Sequence, residues 1–159
     1  MRSYRYVVVD VFTTEPLAGN ALAVFPAASG LEAATMQKIA REMNLAETSF
    51  ILPATRQDCA AHVRIFTPAK EMAFAGHPTV GTAFVMLQEK IVPQDSSVFV
   101  LEELIGPVPL VAGNAQIRAE VALDQLDAGA PAARFGVVAF VENSATGEVL
   151  QVADRAACP

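Results

Sequence analysis

The sequence has no tryptophan, little basic charge and no long apolar run. It carries 11 Lys and Arg against 17 Asp and Glu, a formal net charge of −6. Such a balance leaves no basic face for a phosphate backbone, so nucleic acid is not expected as a partner. No apolar run approaches the roughly 20 residues that span a bilayer, and the N-terminus lacks the apolar core of a signal peptide. We therefore expect a cytoplasmic protein that binds no membrane.

Cysteine is also scarce. Cys59 and Cys158 lie far apart and in no metal-ligand or redox spacing. This usage is typical of a reducing compartment, and we expect both thiols to have no role in a site. The sequence contains no P-loop, dinucleotide fingerprint, nucleophile elbow or metal-ligand spacing, so no metal site is predicted.

Apolar residues make up 53% of the 159 residues, enough for one domain with a sizeable core. Strand signals dominate. The predicted strands cover residues 4–12, 22–25, 49–52, 60–66, 98–101, 108–112, 117–123, 135–141 and 149–152. With two helices between them, the pattern indicates an α+β domain whose strands are mostly sequential and therefore mostly antiparallel.

The two predicted helices differ in their surroundings. Ser29 and Glu32 have the spacing of a capping box, and apolar side chains then recur every four residues over 31–43. This pattern predicts an amphipathic helix that Asn44 ends, because Asn tolerates the left-handed conformation. Residues 78–87 are apolar nearly all round and predict a helix enclosed by other elements.

One candidate for chemistry is Glu47, which follows the amphipathic helix. A carboxylate in an apolar stretch between two packed elements can act as a general acid or base. The alternative is a solvated carboxylate in a helix-to-strand turn, and the residues alone leave both interpretations open.

A second candidate is the Gly76-His77 step at the start of the enclosed helix. Free N–H groups and the helix dipole favour a carboxylate or phosphate there, Gly76 permits close approach, and His77 can donate or shuttle a proton. An ordinary helix start with a surface histidine is the alternative. The Asn20 amide either binds a substrate or stabilises a turn. Arg64 and Glu71 are expected to be solvated or paired surface charges, and His62 to be structural.

Several ordered sequence blocks resemble one known family. They are residues 10–12 (DVF) with 19–24 (GNALAV), 39–50 (IAREMNLAETSF), 64–68 (RIFTP), 74–83 (FAGHPTVGTA) and 101–109 (LEELIGPVP). Together they resemble the N-terminal half of the PhzF-like phenazine-biosynthesis isomerase family, and the likeness runs to about Asp124. The resemblance divides the chain into a PhzF-like domain, 1–125, and a divergent tail, 126–159, whose strands are predicted to form a hairpin that completes the sheet.

The resemblance implies a fold similar to diaminopimelate epimerase, in which each of two halves is a curved, mostly antiparallel sheet wrapped around a central helix. It implies a cofactor-free isomerase or epimerase that moves a proton on a small carboxylate, such as a dihydro-hydroxyanthranilate. The catalytic glutamate of the family falls on Glu47, and its substrate-binding positions on Asn20, Gly76 and His77. Related racemases carry a cysteine where this chain has Ala75, so a two-thiol mechanism is disfavoured.

Three functions are compatible with a likeness to one half of the family. In the first, a second copy in a homodimer completes an isomerase site. In the second, the chain is a catalytically inactive, truncated or degenerate domain that binds a ligand. In the third, it is an interaction module that uses the surface between the halves, because such an apolar face requires a partner.

Overall fold

The computed structural model describes the backbone of residues 3–113, 116–119, 136–142 and 149–156, and the side chains of residues 3–112 and 117. Its elements, in chain order, are β1 (Val7–Val11), β2 (Asn20–Phe25), α1 (Ala33–Met43), β3 (Glu47–Leu52), β4 (Ala61–Phe66), β5 (Glu71–Met72), α2 (Gly76–Gln88), β6 (Val98–Glu103), β7 (Gly106–Gly113), β8 (Gln116–Ala119), β9 (Gly136–Glu142) and β10 (Val149–Ala156). The α+β class predicted from the sequence is confirmed.

Within the described residues, the main sheet has the strand order β1-β2-β3-β4-β6-β7-β8, and β5 pairs with β4. Most neighbours are antiparallel, as expected, including the β1/β2 hairpin. Pairing follows chain order less closely than expected, because β2/β3 and β4/β6 are parallel. The reason is that α1 and α2 are crossover connections, and a helix between two strands brings the second strand back in the same direction.

One face of the sheet packs against α1. Phe25, Phe50 and Phe66 form an aromatic row there, with Phe25 and Phe50 stacked at 4.9 Å between ring centroids and Phe66 edge-on to Phe50 at 5.6 Å. Met36 and Ala40 of α1 are buried against this row. Burying each large apolar side chain contributes roughly 1.5–3 kcal/mol, which holds the amphipathic helix on the sheet.

The ends of α1 confirm one prediction and correct another. Asn44 ends the helix in the left-handed conformation, at φ 52°, and its N–H donates to the Ala40 carbonyl. The predicted capping box is wrong. Glu32 is itself the N-cap and makes no side-chain capping bond, so the helix begins too late for Ser29 to reach its free N–H groups.

The other face of the sheet encloses α2. Buried apolar side chains of β2, β4, β6 and β7 surround it, among them Leu22, Val63, Leu101 and Leu110. The helix contacts both β1 and β8, which are the two edges of the sheet, so the sheet must curve around it. The predicted central helix is therefore confirmed, although Phe84 is left 45% exposed.

Two close approaches fix how α2 lies on the sheet. A Cβ atom at Gly81 would come within 2.7 Å of the Leu22 and Val11 side chains, so only glycine lets the helix approach the sheet this closely. At the next residue of the helix, the Ser49 and Thr82 hydroxyl oxygens lie 2.6 Å apart in a buried hydrogen bond. The Gly81 contacts set the distance of the helix from β1 and β2, and the Ser49–Thr82 bond sets its distance from β3.

In the tail, β9 and β10 form an antiparallel hairpin in which Val152 pairs with Phe140. Among the described residues they make a two-stranded sheet of their own, and the prediction that this hairpin completes the main sheet stays a prediction. The predicted turn at 143–147, the linker-like stretch 127–133 and Cys158 lie outside the described residues, and the division of the chain at 125/126 stays a prediction. Neither helix in the described part of the chain has the length and apolarity needed to cross a bilayer.

Candidate active site

The fold brings Asn20, Glu47 and the start of α2 to one end of the sheet. β2 and β3 are parallel, with Leu22 in register with Glu47, so both strands begin at the same end. Asn20 is the first residue of β2 and Glu47 the first of β3, while Gly76 and His77 form the first turn of α2. Four residues predicted from the sequence to form a site thus lie together.

The Glu47 carboxylate faces the His77 ring. Glu47 Oε2 lies 3.4 Å from His77 Nε2, and the two side chains are 19% and 10% exposed. Neither atom has a hydrogen-bond partner among the described residues, and both are buried. Buried polar atoms are nearly always hydrogen-bonded, so this pair is suited to share a polar group of a ligand.

Asn20 determines which ring nitrogen of His77 carries the proton. The Asn20 side-chain nitrogen lies 3.2 Å from His77 Nδ1. An amide nitrogen only donates, so Nδ1 accepts and a neutral ring carries its proton on Nε2. That nitrogen is the one 3.4 Å from Glu47 Oε2, a separation at which the two groups form no hydrogen bond. This contact does not test the prediction that Asn20 binds substrate. It shows that the Asn20 amide lies within hydrogen-bond distance of the His77 ring.

Burial lowers the pKa of His77, and the negative charge of Glu47 partly opposes this shift. The net lowering keeps the imidazole neutral at pH 7, where it can donate from Nε2 and accept at Nδ1. A neutral ring beside a carboxylate leaves the negative charge of Glu47 without a paired positive charge.

The first turn of α2 offers two free backbone donors. The first N–H groups of a helix have no acceptor within it, and Pro78 has none to offer, which leaves the amides of Gly76 and His77. Ala75 is the N-cap and makes no side-chain capping bond. A Cβ atom at Gly76 would meet nothing within 4 Å, so the side-chain position beside these donors is open. The helix dipole favours an anionic group there.

The loop between β1 and β2 positions Asn20. The Leu17 N–H donates to the Asp10 carboxylate at 2.7 Å, which closes the loop between β1 and β2. A Cβ atom at Gly19 would come within 2.6 Å of the Val11 carbonyl oxygen and 2.5 Å of the Thr13 methyl group. Only glycine allows this close turn immediately before Asn20.

The sequence reasoning missed Glu103 as a candidate. It lies at the end of β6, is 4% exposed, and accepts a 2.7 Å hydrogen bond from the Thr79 hydroxyl of α2. Burial raises the pKa of its carboxyl to about 7, and the Thr79 bond opposes the shift. Strand alternation could have revealed it, because Glu103 shares the buried face of β6 with Phe99 and Leu101.

Arg64 and Glu71, expected to be solvated or paired, form an ion pair. Arg64 donates twice to Glu71, at 2.6 and 2.7 Å, and the expected pairing is confirmed. Burial raises the pKa of the free Cys59 thiol, which makes it a weak nucleophile at neutral pH. Across the described residues, no three His, Cys, Asp or Glu side chains cluster as metal ligands.

Comparison with known proteins assigns the family. The family model for phenazine biosynthesis-like proteins (PhzC-PhzF) matches residues 9–153, which includes every site residue described above. The chain belongs to this family. The resemblance carried by the sequence blocks is thereby confirmed, and so is the fold that it implied.

Two curated members of the PhzC-PhzF family share about half of the matched residues. An uncharacterized isomerase of Mesorhizobium japonicum is 53% identical over 108 residues, which are 68% of this chain and 35% of the relative. The trans-2,3-dihydro-3-hydroxyanthranilate isomerase of Pseudomonas aeruginosa is 47% identical over 106 residues, 67% of this chain and 36% of the relative. The chain therefore spans about a third of the length of these relatives.

A solved structure agrees. The crystal structure of a PhzF-family phenazine biosynthesis protein of Bacillus anthracis matches with a TM-score of 0.67 and 30% identity, over 74% of this chain and 39% of that one. The curved sheet around α2 is thus the architecture found in about two fifths of a PhzF-family protein.

Proposed function

We propose that this PhzC-PhzF chain carries the general acid–base part of an isomerase site, with Glu47 as the group that transfers the proton. The substrate is a small carboxylate of the dihydro-hydroxyanthranilate class. The names of the curated relatives support this class of reaction, since they are isomerases and one acts on that compound. No cofactor enters the proposed chemistry, and the expected cytoplasmic location is supported by the free Cys59 thiol.

The observation that carries the proposal is the buried pair formed by Glu47 Oε2 and His77 Nε2. The atoms are 3.4 Å apart and lack hydrogen-bond partners within the described structure, at the open N-terminus of an enclosed helix. A solvated turn carboxylate would show neither the burial nor the facing donor. The geometry therefore favours the chemical interpretation of Glu47 over the solvated one.

In the proposed reaction, each residue has a distinct task. The N–H groups of Gly76 and His77 bind the substrate carboxylate at the positive end of α2. The Glu47 carboxylate removes a proton from one carbon of the substrate, and the electrons of that C–H bond pass into the conjugated system. Glu47 then returns the proton to another carbon, so the substrate is isomerised without net loss or gain of atoms. The neutral His77 ring stays beside the carboxylate, with Nε2 available to donate to a polar group of the substrate.

The opposite wall of the site is proposed to come from a second copy of the chain. Glu47 is 19% exposed, so one side of its carboxylate remains open for a substrate enclosed by another surface. Symmetric dimers are the commonest oligomers, and a two-fold axis would set two such ends of the sheet against each other. Sedimentation analysis at micromolar concentration tests this step, because a monomer at saturating substrate contradicts it.

The activity test follows a proton rather than a product. The chain is incubated in deuterated water with trans-2,3-dihydro-3-hydroxyanthranilate, and deuterium entry at carbon is followed by mass spectrometry. Glu47→Gln should lower the rate by at least about 10²-fold, the usual contribution of a general base. Glu42→Gln is the matched control, because Glu42 is exposed on α1, five residues before Glu47. Equal rates in the wild type and Glu47→Gln would overturn the role of Glu47.

A second candidate is an inactive interaction module. Phe12 and Leu17, in the loop that presents Asn20, are 57% and 95% exposed, and exposed apolar side chains beside a site favour a contact surface. In this alternative the chain binds a protein or a carboxylate and moves no proton. Absence of deuterium entry in a dimeric, folded wild-type chain would favour it over the isomerase.

A further inference from the structure

Thr79 connects the start of α2 to the end of β6. Its hydroxyl oxygen lies 2.8 Å from the carbonyl oxygen of Ala75, the N-cap of the helix, and 2.7 Å from Glu103 Oε1. The residues that follow Ala75 are Gly76 and His77, which carry the proposed anion site. The hydroxyl of Thr79 is thus shared between the backbone that orients the site and a buried carboxyl.

The turn that follows Glu103 is hydrogen-bonded to the segment before α2. Glu103 pairs with Gly106 of β7, and within that turn the Ile105 N–H donates to the Ala73 carbonyl at 3.1 Å. Ala73 lies two residues before the N-cap. Glu103 is 4% exposed, and its Oε2 has no hydrogen-bond partner among the described residues. Burying a carboxyl with one unpaired oxygen costs free energy, and its bond to Thr79 offsets only part of that cost.

We propose that Glu103 is a positioning residue of this site: through the Thr79 hydroxyl it holds the first turn of α2, and with it the direction in which His77 faces Glu47. The relevance of this role to catalysis rests on the function proposed above. The connection from Glu103 through the Thr79 hydroxyl to the first turn of α2 does not depend on that function.

The link depends on a single proton. A protonated Glu103 donates to the Thr79 oxygen, and the Thr79 hydroxyl can then donate to the Ala75 carbonyl. An ionised Glu103 draws the Thr79 hydroxyl to itself, and the Ala75 carbonyl keeps only the Thr79 backbone N–H, at 3.1 Å. Ionisation of Glu103 therefore weakens one of the two bonds that hold the N-cap.

Both forms are accessible near neutral pH, because burial raises the pKa of Glu103 to about 7. The two influences on this pKa are burial and the Thr79 hydrogen bond, and neither is a charge. Of the elements packed against the carboxyl, β7 places Gly106 opposite it and α2 contributes Thr79. His77 is the titratable group in the first turn of α2, and its pKa responds to burial and Glu47.

The test is a nuclear magnetic resonance titration of the full chain from pH 4 to 9. It follows the side-chain carbonyl carbon of Glu103 and the two ring nitrogens of His77. We expect the Glu103 signal to titrate near pH 7 and the His77 nitrogens to show an inflection at the same pH. Glu103→Gln keeps a donor for Thr79 but does not titrate, so the inflection should disappear. Glu102→Gln is the control, because that neighbour on the other face of β6 binds Thr55 instead.

Two changes at Thr79 separate the proposed link from general loss of structure. Thr79→Ser keeps the hydroxyl and should keep the His77 inflection, whereas Thr79→Val removes it and should abolish the inflection. The proposal is overturned if Glu103 titrates near its ordinary value, or if the inflection survives Glu103→Gln or Thr79→Val. If a variant does not fold, the titration of the wild-type chain still decides. Because the readout needs no substrate, an inactive chain would refute the proposed function and leave this test intact.

Discussion

Asn20 Nδ2 lies 3.2 Å from His77 Nδ1, on the side of the ring opposite to the nitrogen that faces Glu47. The two nitrogens of His77 therefore have different partners. One accepts from an amide that cannot take a proton, and the other lies 3.4 Å from the Glu47 carboxylate without a hydrogen bond. The tautomer of the ring beside Glu47 thus depends on a residue 27 positions before Glu47 in the chain, at the start of another strand.

Removing the Asn20 amide should allow the neutral His77 ring to carry its proton on either nitrogen. In the wild-type chain we expect the ¹⁵N spectrum to show a protonated Nε2 and an unprotonated Nδ1. Asn20→Ala should give a mixture of both tautomers and a lower rate of deuterium exchange. Asn44→Gly serves as the control, because glycine suits the φ of 52° at that helix end and lies outside the site. A single Nε2–H tautomer in Asn20→Ala would contradict the assigned role.

Two glycines of α2 should respond in opposite ways to alanine. At Gly76 a methyl group meets nothing within 4 Å, so Gly76→Ala should keep the melting temperature but weaken binding of anthranilate, a stable carboxylate probe. At Gly81 it would come within 2.7 Å of Leu22 and Val11, so Gly81→Ala should lower the free energy of unfolding by about 1–3 kcal/mol. Calorimetry measures both quantities. Unchanged anthranilate affinity in Gly76→Ala would place the carboxylate elsewhere.

Glu103 should make the chain less stable as the pH rises. Unfolded, its carboxyl ionises near its ordinary value of 4.5, whereas in the folded chain its pKa is about 7. Between these values the folded state holds more protons, so raising the pH favours unfolding. Relative to Glu103→Gln, the wild type should lose up to about 3 kcal/mol between pH 4.5 and pH 8, since one pKa unit is worth about 1.4 kcal/mol. Urea denaturation of both proteins at several pH values measures the difference, and a pH-independent difference would refute it.

The buried hydroxyl pair between β3 and α2 should show strong coupling. Ser49→Ala leaves the Thr82 hydroxyl buried without its partner and should cost about 1–3 kcal/mol of unfolding free energy. The double variant Ser49→Ala with Thr82→Val removes both polar groups and should recover much of this loss. Denaturant titrations of the wild type, Ser49→Ala, Thr82→Val and the double variant give the coupling energy. Additive losses in the two single variants would show that the 2.6 Å contact contributes little.

Much of the local structure was predictable, because its causes lie within a few residues. Asn44 ends α1 as expected, and β4 alternates between the two faces of the sheet as its residues do. The capping box failed because the same spacing occurs outside a helix when the chain turns between Ser29 and Glu32. A local pattern does not determine at which residue the first helical turn begins.

The site was predictable in its members but not in its contacts. The resemblance named Asn20, Glu47, Gly76 and His77, and the fold places them at one end of the sheet. Glu103 was missed although it lies on the buried face of β6, because a strand pattern shows that a side chain is buried without showing what it touches.

By itself, the sequence determined the family, the α+β class, the enclosed helix and the residue types available for proton transfer. These follow from composition, from periodicity and from ordered motifs, all of which are properties of the chain read in order. The tertiary structure decided which atoms meet: His77 with Glu47 and Asn20, and Glu103 with Thr79. The parallel pairing of β2 with β3 and the curvature of the sheet around α2 create these contacts, and both depend on crossover connections and close packing between residues far apart in the sequence.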